Sequence, residues 1–407
     1  MPHVVHLRKK AARAVETATT GTLFRILSQM STAPFRIAVV SHSCVVAANQ
    51  AVYVALEAQG YPVTLFVPSQ WRHEFSARPF AAERHPLLRA GINGVTVVNR
   101  GSVPAHCYVG FLSRRLRDAN PAVLLIDQEP YSIAALQWAQ AAARCKVPYI
   151  FTTLQNIPKR YPWLIRRMEG FVWEHADGAT AITESVAATV RSRGYSGPLT
   201  VVPLAIDVQR FAQAQRDESL SSRLGLKANV VGFLGRLVPE KGIRDLMAAF
   251  HSLTPELRAR TTLLVIGDGP LATEVDGARG VVRVAPSHSD VQRYLALVDC
   301  LVLASRSTPN WREQLGRAAI EAMAAGKPVI GSNSGEIPQV VSHGRTGLIV
   351  PEGDVHALAS AIEYLLQNPS ARLSFGRQGR IDSAAYDPER VASRLLTVLR
   401  RGTSTAT

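Results

Sequence analysis

The sequence predicts an α/β protein of two doubly wound, parallel-sheet domains in tandem, facing each other across a deep cleft. Three observations predict it. Short apolar runs alternate with amphipathic stretches of roughly ten to fifteen residues, the signature of βαβ units. The alternation pauses over a polar segment at 207–228 and then restarts. The chain has 407 residues, and at roughly 100–200 residues per domain that length holds two domains.

Residues 1–34 form a basic extension before the first strand. The apolar run at 35–40 reads as a buried strand, with a helix from about 45 to Gly60. A second strand follows at 62–67, and a third run at 122–126 leads into an alanine-rich helix at 131–144. The run at 147–151 is another strand. These elements make a first domain over 35–207, and 208–228 is read as the linker region. The second domain, 229–385, has strands at 229–234, 262–266, 300–304 and 328–330. Helices fill its gaps at about 242–253, 289–297, 316–325 and 354–366, and a helix and tail close the chain at 386–407. In such sheets ligands bind beyond the carboxyl ends of the strands.

Composition narrows the class. Lys and Arg number 46 against 31 Asp and Glu, a net charge of +15. That excess attracts something anionic: nucleic acid, an anionic membrane or a phosphorylated substrate. No nucleic-acid recognition motif accompanies it. No apolar run approaches the ~18 residues of a membrane span, and residues 1–30 show no signal-peptide core. The four cysteines, Cys44, Cys107, Cys145 and Cys300, form no CxxC pair. Reduced thiols in a cytoplasmic protein are expected.

Two motifs carry chemistry. The first is the strand-to-helix turn 235–242, GlyArgLeuValProGluLysGly. Gly235 and Gly242 permit a tight turn. Arg236 and Lys241 set two cations where a helix N-terminus already favours an anion, which suits a diphosphate. The other reading is a surface loop with incidental charges. The second motif spans 309–329 and carries Glu313 and Glu321 around Gln314, Leu315 and Gly316. Eight positions span roughly 12 Å of helix axis, comparable to a nucleotide-sugar from sugar to ribose. One carboxylate would take the sugar hydroxyls and the other the ribose diol, with phosphates at the helix N-terminus. An ordinary amphipathic helix with solvated glutamates has the same spacing.

These segments, with IleGlyAspGlyPro at 266–270 and GlyLeuIleValProGluGlyAsp at 347–354, resemble the carboxyl-terminal half of retaining glycosyltransferases of family 4. The stretches at 152–159 and 203–211 resemble members that build cell-envelope polysaccharides. The resemblance implies the GT-B fold and a nucleotide-sugar donor, with no cofactor and no metal. It places Arg236 and Lys241 on the diphosphate, Glu313 on the donor sugar and Glu321 on the ribose. Backbone near Val284 and Ala285 would meet the base, and Gly267, Asp268 and Gly269 would line the donor cleft. The acceptor would be a glycan or a lipid-linked sugar. With no well-placed nucleophile, front-face attack by the acceptor hydroxyl is expected.

Two departures stand out. The first strand-to-helix loop, 41–50, has Ala47 and Ala48 where many members carry a glycine pair. Gln128 stands where members often have a histidine before Glu-Pro. Glutamine hydrogen-bonds a hydroxyl but takes no proton. His42, in a neighbouring loop, is the candidate to compensate, although a lone histidine is commonly structural. There is no Asp-x-Asp; Asp127–Gln128–Glu129 is the nearest approximation and reads as part of an acceptor or sugar pocket. Two alternatives share the fold. A nucleotide-sugar epimerase would draw acid/base groups from His42, Asp127 and Glu129. A non-catalytic nucleotide-sugar-binding scaffold would explain the missing histidine.

Two aromatic and basic segments read either as a peripheral contact with an anionic membrane or, equally, as core and acceptor-pocket residues. Segment 69–80 interleaves Trp71, Phe75 and Phe80 with Arg72 and Arg78. Segment 157–167 does so with Tyr161 and Trp163 among Lys159, Arg160, Arg166 and Arg167. Rings at headgroup depth and cations on anionic lipid suit such a surface. Arg8, Lys9, Lys10 and Arg13 would add to it.

Overall fold

The computed structural model describes residues 34–72, 79–89 and 91–404. Residues 1–33 of the basic extension, Phe75 and Arg78 lie outside the described residues. Two parallel sheets are present. The first has seven strands: β1 (Ile37–Ser41), β2 (Val63–Pro68), β3 (Ile92–Val95), β4 (Val123–Asp127), β5 (Tyr149–Thr153), β6 (Gly178–Ala181) and β7 (Leu199–Val201). Across the sheet they run β7-β6-β5-β4-β1-β2-β3, all parallel. The order reverses at β1, so the two helices leaving β1 and β4 diverge and open a crevice there.

The second sheet has six parallel strands: β8 (Asn229–Leu234), β9 (Thr261–Ile266), β10 (Val281–Val284), β11 (Cys300–Leu303), β12 (Val329–Ser332) and β13 (Gly347–Val350). Their order is β10-β9-β8-β11-β12-β13. Most central strands are apolar and buried on both faces, as helices cover each side. The predicted architecture of two Rossmann-like domains is the one observed.

The segment read as a linker carries two short helices, Val208–Ala212 and Glu218–Arg223. Asp207 and Asp217 cap them by accepting from Arg210 N and Leu220 N. Phe211 and Leu220 are buried in one cluster with Ile182, Val186, Ile320 and Met323, so this segment and both domains share a core. The final helix, Pro388–Ser404, returns to the first domain. Its Val391, Leu395 and Leu399 recur at helical spacing and pack with Leu56, Val63 and Val123.

Candidate functional site

The first wall of the cleft follows from strand register. β1 and β4 pair with Ser41 opposite Asp127. The next residues, His42 and Gln128, therefore emerge side by side at the carboxyl ends. Gln128 Oε1 accepts from His42 Nδ1 at 2.8 Å, which leaves the His42 Nε2 lone pair for another donor. Ser41 Oγ donates to Asp127 Oδ2 at 2.7 Å. Gln128 is buried, and its Nε2 meets no partner among the described residues. Burial lowers the His42 pKa, opposed by the Gln128 bond. Burial raises that of Asp127, which Ser41 and Tyr53 partly offset. Glu129 is pushed up to about 7, chiefly by burial. Its carboxylate accepts from Thr153 Oγ1 at 2.9 Å and from Leu154 N at 2.8 Å.

The second wall is built around β8 and the helix Arg317–Ala324. After β8 the chain turns through Gly235 to Gly242. Gly242 has φ 68°, and a Cβ there would lie 1.8 Å from Ala304 O, so only glycine fits. The turn delivers Lys241 Nζ to Glu313 Oε2 at 2.6 Å. Ser305 Oγ donates to the same oxygen at 2.9 Å. Trp311 packs its ring beside the ammonium, 5.1 Å from centroid to Nζ. Glu313 precedes the helix expected from about 316: Gly316, at φ 70°, is the N-cap and the helix starts at Arg317, so the run from Glu313 to Glu321 is only partly helical and its length is not a plain helix-axis distance. No side chain caps that end, so first-turn N–H groups remain available to an anion. Glu321 lies on the helix, buried, and Arg317 Nε donates to its Oε1 at 2.9 Å. Burial raises the Glu321 pKa, and Arg317 and Arg210 pull it back.

A cavity of about 370 Å³ is lined by Gly235, Arg236, Lys241, His288, Glu313, Gly316, Arg317 and Glu321, among others. Both glutamates and both cations thus meet at one cavity. Its lining does not include Gly267, Asp268, Gly269, Val284 or Ala285. Gly267 packs directly on the Gly235 loop and donates its N–H to Val284 O at 2.8 Å. Asp268 is exposed and pairs with Arg283 at 3.3 Å. Leu315 is buried in the core, and Gln314 reaches across the cleft instead.

A second cavity, about 480 Å³, lies between the domains. His42, Asp127, Gln128 and Glu129 line one side; Trp311, Arg312, Gln314 and Arg317 line the other. Arg317 borders both cavities. Among the described residues, three side-chain bonds cross the cleft beside this cavity. Asn156 Nδ2 donates to Glu313 O at 3.0 Å, Gln314 Nε2 to Leu154 O at 2.9 Å, and Arg317 Nη1 to Asn49 Oδ1 at 2.8 Å. Among the described residues no group of three His, Cys, Asp or Glu is placed to hold a metal ion.

Sequence reasoning missed Ser305, Arg317, Asn156 and His288. Arg317 was findable as a cation four positions before Glu321. Asn156 was not, since its partner lies 157 positions away. Of the aromatics read as membrane or core residues, Trp71 takes the core reading and Tyr161 an intermediate place. Trp71 is buried, with its ring 5.0 Å edge-on to His106. Tyr161 is half-buried, its ring tilted against Tyr131 at 4.8 Å with Arg193 over it.

Comparison with known proteins agrees with this geometry. Residues 215–382 match the family described as Glycosyl transferases group 1. Residues 45–205 match the Glycosyl transferase 4-like domain. The 2-deoxystreptamine glucosyltransferase of Streptomyces kanamyceticus is 27% identical over 319 residues, 72% of this chain and 80% of that protein. The alpha-maltose-1-phosphate synthase of Mycolicibacterium smegmatis is 30% identical over 268 residues, 58% of this chain and 67% of that protein. Several further relatives are matched over little more than half their length. The fold is shared with Anabaena HepE, solved with UDP and glucose, at TM-score 0.69 and 16% identity over 90% of this chain and 99% of that one. With a glycosyltransferase domain matched on each side of the cleft, and the paired sheets facing across it, the chain belongs to the glycosyltransferases of GT-B fold.

Proposed function

We propose that the protein moves a sugar, with retention of configuration and without a metal ion, from a nucleotide-sugar to a glycan or glycolipid acceptor in cell-envelope polysaccharide assembly. The observation that carries this reading is the Lys241–Glu313 pair beside an uncapped helix N-terminus, with Arg236 and Glu321 in the same cavity. The bond from the anomeric carbon to the phosphate oxygen breaks, and the acceptor oxygen bonds that carbon on the same face. The acceptor's proton leaves with the departing phosphate oxygen. Lys241, Arg236 and the N–H groups before Ala319 offset the charge growing on the diphosphate, fixed in place before it forms. Glu313 positions the sugar, and Glu321 the ribose. His42 and Gln128 face the acceptor side, where His42 Nε2 accepts from a hydroxyl.

A panel of nucleotide-sugars screened by thermal shift, followed by transfer assays, tests this. Transfer is expected with one donor class, with the anomeric proton signal showing retention. Activity should survive excess EDTA, because cationic side chains do what a divalent ion does elsewhere. Restoration by magnesium after strict loss in EDTA would overturn metal independence. Epimerised donor in the absence of any acceptor would overturn transfer itself.

We further propose that the first domain rests on an anionic membrane. Trp163 and Leu164 are 73% and 54% exposed, and Phe111 84%. Arg160, Arg166 and Arg167 flank the first pair; Arg114, Arg115 and Arg117 follow Phe111. Their helices, Leu112–Ala119 and Trp163–Glu174, pack on either side of the helix Ile133–Cys145, so both patches belong to one layer. Each basic residue at such a surface adds about 1 kcal/mol, screened by salt. Co-sedimentation with anionic vesicles should fall several-fold in Phe111→Asp/Trp163→Asp and in Arg166→Glu/Arg167→Glu. Equal binding to neutral vesicles would contradict the assignment.

A further inference from the structure

We infer that Glu129, a residue of the first domain, is a positioning residue for Glu313 in the second, acting through the loop that follows β5. The argument is a chain of hydrogen bonds. Glu129 is 9% exposed, and both of its oxygens are spent on one short stretch: Thr153 Oγ1 at 2.9 Å and Leu154 N at 2.8 Å. A carboxylate that grips a hydroxyl and the next backbone N–H fixes the path of the loop leaving the strand. Two residues of that loop then cross the cleft. Leu154 O accepts from Gln314 Nε2, and Asn156 Nδ2 donates to Glu313 O. Asn156 is itself buried, so its amide has no water to fall back on. The Glu313 carbonyl also accepts from Glu336 N at 3.1 Å. The backbone of Glu313 is thus held from both domains, while its side chain is held by Lys241 and Ser305.

The consequence is an ordering of roles. Every residue assigned to the nucleotide lies in the second domain, so nucleotide binding does not need the loop. Placing the sugar under the acceptor does, because a misplacement of about 1 Å costs turnover far more than affinity. Glu129 sets that placement without touching the donor. This inference rests on the transferase reading, and its test carries one arm that does not.

Glu129→Met keeps the side chain's bulk and removes both acceptors. Turnover should fall at least tenfold, while nucleoside-diphosphate affinity and donor KM stay within about threefold. Glu129→Gln keeps an oxygen for Leu154 N and an amide for the Thr153 hydroxyl, and should recover most of the lost turnover. Asn156→Ala should reproduce the loss, and Glu129→Met/Asn156→Ala should be no worse than the poorer single variant, as expected for one shared path. In the arm independent of transfer, amide hydrogen exchange across residues 312–316 should rise in Glu129→Met and Asn156→Ala but not in Glu129→Gln. Multiplicative losses, a Gln variant no better than Met, or unchanged exchange at 312–316 would each overturn the assignment. If Glu129→Met does not fold, Thr153→Val with Asn156→Ala reads the same path. A wild-type protein inert toward every nucleotide-sugar would sink the functional reading, and the exchange arm would still decide the role of Glu129.

Discussion

Lys241→Ala is expected to lower turnover with a nucleotide-sugar by about 10²–10³-fold, the usual cost of removing one preorganised group from a developing anion. The ammonium sits 2.6 Å from Glu313 Oε2, with side chains only 21% and 9% exposed. It therefore does two things. It holds the carboxylate, and in the proposed reaction it meets the donor diphosphate. Removing it takes the cation from a carboxylate that keeps the Ser305 hydroxyl, a nearly buried charge short of a partner, which costs about 1–3 kcal/mol of stability. The two losses separate experimentally. Denaturant unfolding reads the first, and kcat on the folded variant reads the second. Calorimetry adds a third reading: affinity for a nucleoside diphosphate should drop, while affinity for the bare nucleoside should not. Turnover within threefold of wild type would remove Lys241 from the donor's charge and leave it a structural partner of Glu313.

Much of the architecture was legible because central parallel strands are continuous apolar runs. Ile37–Ser41, Val123–Asp127, Asn229–Leu234 and Thr261–Ile266 all announce themselves that way. Gly178–Ala181 and Gly347–Val350 do not, since a four-residue strand with glycine has no periodicity to read. Val208–Ala212 and Glu218–Arg223 were hidden for another reason: each is under two turns long, too short for a helical period, and the second offers Leu220 as its one apolar residue. At the site, the residue types were readable and their geometry was not. The helix start near 316 is readable, but the turn that Gly316 makes in the left-handed region, which sets Glu313 relative to Glu321, is not. Gly335, at φ 51°, lets backbone lie against Glu313, where a Cβ would sit 2.1 Å from its carbonyl oxygen. His42 and Gln128 meet only because β1 and β4 are neighbours in register. No local pattern reports a pairing set by sheet order.

Glu321→Ala should weaken nucleoside binding by about 10–100-fold, since hydrogen bonds to a charged group are worth about 1.5–3 kcal/mol. Arg317→Ala offers the sharper test, because its effect depends on pH. Arg317 bonds Glu321 at 2.9 Å and reaches Asn49 of the first domain at 2.8 Å. Glu321 is 4% exposed, its pKa already raised by burial and restrained by Arg317. Removing the guanidinium raises it further. A carboxyl with a raised folded-state pKa binds its proton more tightly in the folded protein than in the unfolded chain. Stability is therefore lost as pH rises past the unfolded value, about 4.3, and the loss is complete above the folded one. The variant should lie close to wild type at pH 4 and be least stable, relative to it, at pH 8. Nucleoside affinity should follow the opposite course: the protonated Glu321 of the variant accepts poorly from the ribose hydroxyls, so its affinity deficit is largest in mild acid and shrinks as pH rises. Opposite slopes in stability and affinity are the signature of one buried carboxylate deprived of its cation. Parallel slopes, or a stability difference independent of pH, would mean that Arg317 acts through its bridge to Asn49 and not through Glu321.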